Sequence, residues 1–199
     1  MPAKKVAIFL FNDVEVLDFA GPFEVFSVTS ELNEPKPFEV LTVAETAGEI
    51  KARNGLRVHP DRTFSDSLQP DILIIPGGLG TRPLMNHPPV IDWIKISSQS
   101  AELVLSVCTG SLLLAKAGLL EGLEATTHHL ALELLREVAP QTTVLAKQRV
   151  VDNGRIVTSG GISAGIDMSL YVIEKILGKE VATKTAEYME YEWRMGSKN

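Results

Sequence analysis

The stretch Glu102-Leu-Val-Leu-Ser-Val-Cys108-Thr-Gly-Ser-Leu-Leu-Leu-Ala-Lys-Ala-Gly-Leu-Leu120 changes character at its middle. The residues before Cys108 are an apolar, β-branched run, as in a buried strand. Those after it are rich in Ala and Leu at helical spacing. A thiol at that junction lies at a helix N-terminus, where unpaired N–H groups and the helix dipole favour an anion. The position predicts a thiol pKa below the free value of about 8.5. Thr109 and Gly110 are small, which leaves the sulfur open to a substrate, and Gly110 lets the helix start close to its neighbours. The arrangement resembles a nucleophile elbow, although G-x-S-x-G is absent. Against this stands the packing reading, since free cysteines often only fill space.

Outward from this junction, strands and helices alternate. Val6–Phe11 and Asp71–Pro76 are continuous apolar runs, the pattern of parallel strands covered on both faces. Asn12–Asp18 reads as a loop, with Pro22 in the first turn of a helix through about Leu32. Phe38–Val43 reads as a strand and Glu49–His59 as a hairpin turning at Asn54-Gly55. A helix is expected near Pro88–Ser98 and another over Leu130–Val138. Thr142–Ala146 and Arg149–Ser159 read as strands, the second broken by an Asp152-Asn153-Gly154 turn. Ser163 is placed to cap a helix ending at Gly178, and a last helix covers about Glu180–Tyr191. The alternation predicts an α/β fold, a doubly wound, mostly parallel sheet flanked by helices, built as one domain over residues 1–199. Ligands in such sheets bind beyond the strands' carboxyl ends.

Composition narrows the function classes. Hydrophobic residues make up 45% and charged residues 22% of the chain, an ordinary balance for a globular protein. A net charge of −6 gives no electrostatic support for binding nucleic acid or an anionic membrane. One cysteine excludes an intramolecular disulfide and fits a reducing compartment, so a cytoplasmic location is expected. The apolar run after Met-Pro-Ala-Lys-Lys is too short for a membrane span.

Three motifs fall at strand ends. Leu17-Asp18-Phe-Ala-Gly21-Pro22 places Asp18 just before a helix, either as a cap or as a proton carrier beside the thiol. A carboxylate and a thiolate side by side repel, so one of the two should hold a proton. Pro76-Gly77-Gly78-Leu79-Gly80 is either a tight turn or, through Gly77 and Gly78, half of an oxyanion hole completed by the Thr109 N–H. It matches neither G-x-G-x-x-G nor the P-loop. Thr158-Ser159-Gly160-Gly161-Ile-Ser163-Ala-Gly165-Ile-Asp167 reads first as a tightly packed helix start, with Asp167 serving the helix dipole, and second as pocket lining. On a strand, His128 and His129 would face opposite ways, so at most one reaches the crevice. A Cys–His pair would activate the thiol; a packing or surface histidine is the alternative. No metal-ligand spacing is present.

Taken together, these residues resemble the ThiJ/PfpI superfamily, relatives of the class I glutamine amidotransferase fold with its flavodoxin-like sheet. Leu17-Asp18-x-x-Gly21-Pro22, Ile75-Pro76-Gly77-Gly78, Val107-Cys108-Thr109-Gly110-Ser111, Ala125-Thr-Thr-His128 and Gly160-Gly161-x-x-Ala164-Gly165-Ile166-Asp167 carry the resemblance, which spans nearly the whole chain. Within the superfamily, Asp18, the Cys-Thr-Gly-Ser run and Ala117–Leu120 are most similar to the isonitrile hydratases. The resemblance implies a homodimer, no cofactor, and hydration of a small-molecule isonitrile to an N-substituted formamide. It implies Cys108 as nucleophile, Asp18 as proton donor and water activator, Thr109 as a support for Asp18 through its hydroxyl, and Gly78 as a further N–H donor. Three departures stand out. Thr109 replaces the His of the protease-like members. Asp18 replaces the Glu of the chaperone- and glyoxalase-like members. His129 stands where the hydratases have Trp. An amidase-like hydrolase using Cys108 and His128, and a ligand- or oxidation-sensing protein, are the competing readings. Tyr188, Tyr191 and Trp193 mark a dimer surface or ordinary packing.

Overall fold

A computed structural model describes residues 2–193. The chain runs β1 (Lys4–Phe9), α1 (Val16–Glu31), β2 (Phe38–Ala44), a short antiparallel hairpin of β3 (Ile50–Lys51) and β4 (Arg57–Val58), β5 (Arg62–Thr63), β6 (Ile72–Ile75), α2 (Thr81–Leu84), α3 (Pro88–Ser100) and β7 (Leu103–Val107). It continues with α4 (Gly110–Lys116), β8 (Glu124–Ala125), α5 (Leu132–Val138), β9 (Thr143–Val144), β10 (Val150–Asp152), β11 (Ile156–Ser159), α6 (Ala164–Leu177) and α7 (Lys179–Tyr188). Among the described residues, one sheet has the order β10-β11-β7-β6-β1-β2-β5. It is parallel except for β10, which pairs antiparallel with β11. This is the α/β architecture expected from the alternating pattern. No described helix is long and apolar enough to cross a membrane.

The central strands are apolar on both faces because both are covered. Ile72, Leu73, Ile74 and Ile75 are fully buried, as are Val104, Leu105 and Val107. Each such side chain contributes about 1.5–3 kcal/mol through burial. Rigid strands β1, β6, β7 and β11 therefore deliver four successive segments to one carboxyl edge.

Several details differ from the sequence reading, among them the limits of β1, α5 and β9, two helix ends and one cap. Helix α1 begins at Val16, so Pro22 sits inside it rather than in its first turn. Proline there removes one helical hydrogen bond, and the Gly21-Pro22 step lies where α1 meets α6. A Cβ on Gly21 would lie 2.9 Å from Ile166 Cγ1, and one on Gly165 would lie 3.6 Å from Pro22 Cγ. The last helix stops at Tyr188, and the chain folds back with Tyr191 N–H donating to Ala186 O at 2.9 Å. Tyr188 is 57% exposed, whereas Tyr191 and Trp193 pack against the core. Ser163 precedes α6 without capping it through its side chain.

Candidate active site

Cys108 directly follows β7 and adopts φ +57°, a left-handed conformation that costs a non-glycine residue about 1–3 kcal/mol. The backbone holds it there from both sides. Its N–H donates to Ser159 O at 3.2 Å and Gly160 O at 3.1 Å. Its carbonyl accepts from Thr127 Oγ1 at 2.8 Å and Ser111 Oγ at 3.2 Å. Gly110 is required by the close passage of β6: a Cβ there would lie 2.0 Å from Ile75 O. Gly77 is required by the elbow itself, since its Cβ would fall 2.5 Å from Thr109 N.

Asp18 lies in the first turn of α1, not ahead of it, and is fully buried. It is no helix cap. Its Oδ2 accepts from Gly77 N–H and its Oδ1 from Ile162 N–H, each at 3.1 Å, and its carboxyl is hydrogen-bonded to Cys108. Burial raises the carboxyl pKa to about 7 against the lowering pull of Gly77, Cys108 and Ile162, while the charge of Glu15 adds to the rise. Burial, then the negative charge of Asp18, pushes the Cys108 thiol up to about 12, although Thr109 favours the thiolate through its N–H and hydroxyl. The expected depression of the thiol is therefore overturned. The dipole of a short helix is outweighed by desolvation and by a carboxylate at hydrogen-bonding range. Thiol and carboxyl titrate as a pair, with one proton to share near neutrality.

The glycine loop differs from the oxyanion-hole expectation. Gly77 N–H is committed to Asp18, and Gly78 N–H donates to Thr109 Oγ1 at 3.0 Å. Gly78 has φ +135°, and a Cβ there would lie 2.3 Å from Asp13 O. The Thr109 hydroxyl bonds Gly78 O at 3.2 Å and receives Thr81 Oγ1 at 3.2 Å. It thus ties the loop and α2 to the elbow, while the main-chain amides of Gly77 and Ile162 take the support of Asp18 that was assigned to it. Ile162 was missed as a donor. Its contribution is a backbone N–H presented at φ +54°, which no side-chain pattern reveals.

His128 and His129 are not on a strand. Their rings lie 4.3 Å apart, side by side at the start of a 3-10 turn. His128 Nδ1 accepts from Leu130 N–H at 3.3 Å, and its ring covers Gly161, whose Cβ would meet His128 Cδ2 at 2.2 Å. Partial burial, then His129 and Arg82, lower its pKa, which favours a neutral ring. The groups that act on the Cys108 thiol are Asp18 and Thr109, while the His128 ring lies against Gly161. Cys108 is buried, with 6% of the residue's surface exposed. Among the described residues, no group of three His, Cys, Asp or Glu side chains is placed to hold a metal ion.

The chain is similar to known proteins over most of its length. The pattern of the DJ-1/PfpI family matches residues 4–175. Isonitrile hydratase of Pseudomonas putida is 35% identical over 189 residues, covering 95% of this chain and 79% of that protein. The HTH-type transcriptional regulator GbdR of Pseudomonas aeruginosa is 25% identical over 95% of this chain, which spans only 51% of the regulator. A crystal structure of a ThiJ/PfpI family protein from Pseudomonas syringae superposes with a TM-score of 0.87 at 25% identity, covering 98% of this chain and 78% of that one.

Proposed function

Because the chain belongs to the DJ-1/PfpI family, we propose that its Cys108–Asp18 pair hydrates an isonitrile to an N-substituted formamide, a hydro-lyase reaction without a cofactor. The observation that carries the reading is the fully buried Asp18 carboxyl, held by the Gly77 and Ile162 amides against the elbow that bears Cys108. In the tautomer with the proton on Asp18, the Cys108 thiolate adds to the terminal isonitrile carbon. Asp18 gives its proton to that carbon, so the product is a thioimidate, Cys–S–CH=N–R. The Asp18 carboxylate then takes a proton from water as the water oxygen adds to the same carbon. The remaining hydroxyl proton passes to nitrogen as the C–S bond breaks, which releases R–NH–CHO and the Cys108 thiolate and leaves on Asp18 the proton it took from water. Cys108 is buried, and a slender, linear N≡C head suits so covered a residue.

Cys108 is the nucleophile in this scheme and Asp18 the acid and base. Thr109 orders the elbow, and His128 forms part of the entrance. The same reading makes the protein a cytoplasmic homodimer acting on a small molecule. Leu17 and Phe23, each 37% exposed on α1, supply apolar surface for a second copy. The test is intact-mass analysis of the wild-type protein quenched in acid during turnover of a simple isonitrile. The scheme expects an adduct on Cys108 equal to the isonitrile mass. Absence of any adduct, with formamide still released, contradicts it. The match to GbdR supports a second reading, a ligand-sensing domain; saturable binding of an isonitrile without turnover distinguishes it.

A further inference from the structure

Ile162 is β-branched and left-handed at φ +54°, yet its N–H must point at Asp18. Such a residue stays in place only when its surroundings over-determine it. Arg149, ahead of β10, holds both flanks of Ile162. Its backbone carbonyl accepts from Gly160 N–H at 2.9 Å. Its Nη2 donates to Ser163 Oγ at 3.1 Å. The guanidinium is in turn fixed by Asp167, which is 4% exposed, through an Nε–Oδ2 contact of 2.5 Å. The other Asp167 oxygen accepts from Tyr191 O–H at 3.1 Å. Asp167 therefore anchors an arginine instead of merely facing the helix dipole.

The geometry points to Arg149, backed by Asp167 and Tyr191, as a positioning residue that aims the Ile162 N–H at Asp18 and so divides the shared proton between Asp18 and Cys108. The inference rests on the Asp18–Cys108 pair proposed above but not on an isonitrile substrate. The titratable groups that act on Asp18 are Cys108 and Glu15, and those that act on His128 are His129, Arg82 and Glu15. Around Asp167 they are Arg149 and Tyr191.

Removing the guanidinium releases the loop and weakens the Ile162 bond, which stabilises only the ionised carboxylate. The microscopic ionisation of the thiol is untouched. This fixes an unusual signature in the rate of Cys108 alkylation by iodoacetamide against pH. Below the midpoint, Arg149→Met and wild type should coincide. The midpoint should move up by about one pH unit, and the plateau above it should rise about tenfold, because more of the single negative charge then resides on sulfur. Arg149→Lys, which keeps the charge but not the planar fork, should fall between the two. It carries the test alone if Arg149→Met does not fold.

A wild-type profile with no step near pH 7 overturns the pair itself. A wild-type step that folded variants leave unmoved overturns only the positioning role. A uniform rise at all pH values also overturns that role, since it reports an opened loop rather than a redistributed proton.

Discussion

Replacing Asp18 by Asn should alter stability in opposite senses at the two ends of the pH range. A carboxyl raised from 3.8 to about 7 binds its proton more tightly in the folded chain than in the unfolded one. It therefore stabilises the fold below the unfolded value near 3.8, and this contribution is lost as pH climbs through 7. The shift spans just over three pH units, and at about 1.4 kcal/mol each this is about 4 kcal/mol of stability lost between pH 4 and pH 8. Asparagine does not titrate, so the variant lacks that loss. It also turns an amide N–H₂ toward the Gly77 or Ile162 donor, at a pH-independent cost of about 1–3 kcal/mol. Urea denaturation at pH 4 and pH 8 separates the two effects. The variant should be the less stable protein at pH 4 and equal or more stable at pH 8. The difference between the two proteins should swing by about 4 kcal/mol, or about 10 °C in Tm. Curves that stay parallel from pH 4 to pH 8 would show that Asp18 is ionised throughout and that no proton is shared with Cys108.

Three other substitutions follow from local geometry. Ser106 Oγ is buried on β7 without a hydrogen-bond partner among the described residues, so Ser106→Ala should raise the unfolding free energy read from urea denaturation by about 1 kcal/mol. Gly110→Ala drives a Cβ to 2.0 Å from Ile75 O, and the expected outcome is insoluble protein or a loss of at least about 3 kcal/mol in unfolding experiments. His128→Ala should alter KM for an isonitrile but leave the midpoint near 7 in the pH–rate profile, because Asp18, not the imidazole, sets it; a midpoint that disappears restores the Cys–His reading.

The parts of this site that were legible in the sequence are those in which a side chain announces its surroundings. The apolar runs of β6 and β7 are buried on both faces, and only a covered parallel strand tolerates that composition. Cys108 at the end of such a run, and glycines at 77 and 110 where two backbones pass too closely for a Cβ, belong to the same class. What escaped depends on contacts distant in sequence. Pro22 normally marks a first turn, but α1 carries it internally where the helix packs on α6. Ile162 acts through an amide that every residue but proline possesses. The direction of the thiol's shift was misread because sequence shows the helix N-terminus but not the burial and carboxylate that outweigh it. The two-residue strand β5 and the single turn α2 left no periodicity to detect.

The most direct test of the central claim is the rate of formamide formation from a simple isonitrile by wild type and by Cys108→Ala, assayed at pH 7. The account expects turnover by wild type and a loss of at least about a thousandfold in the folded variant, since no other thiol exists in the chain. Equal rates for the two proteins would contradict it.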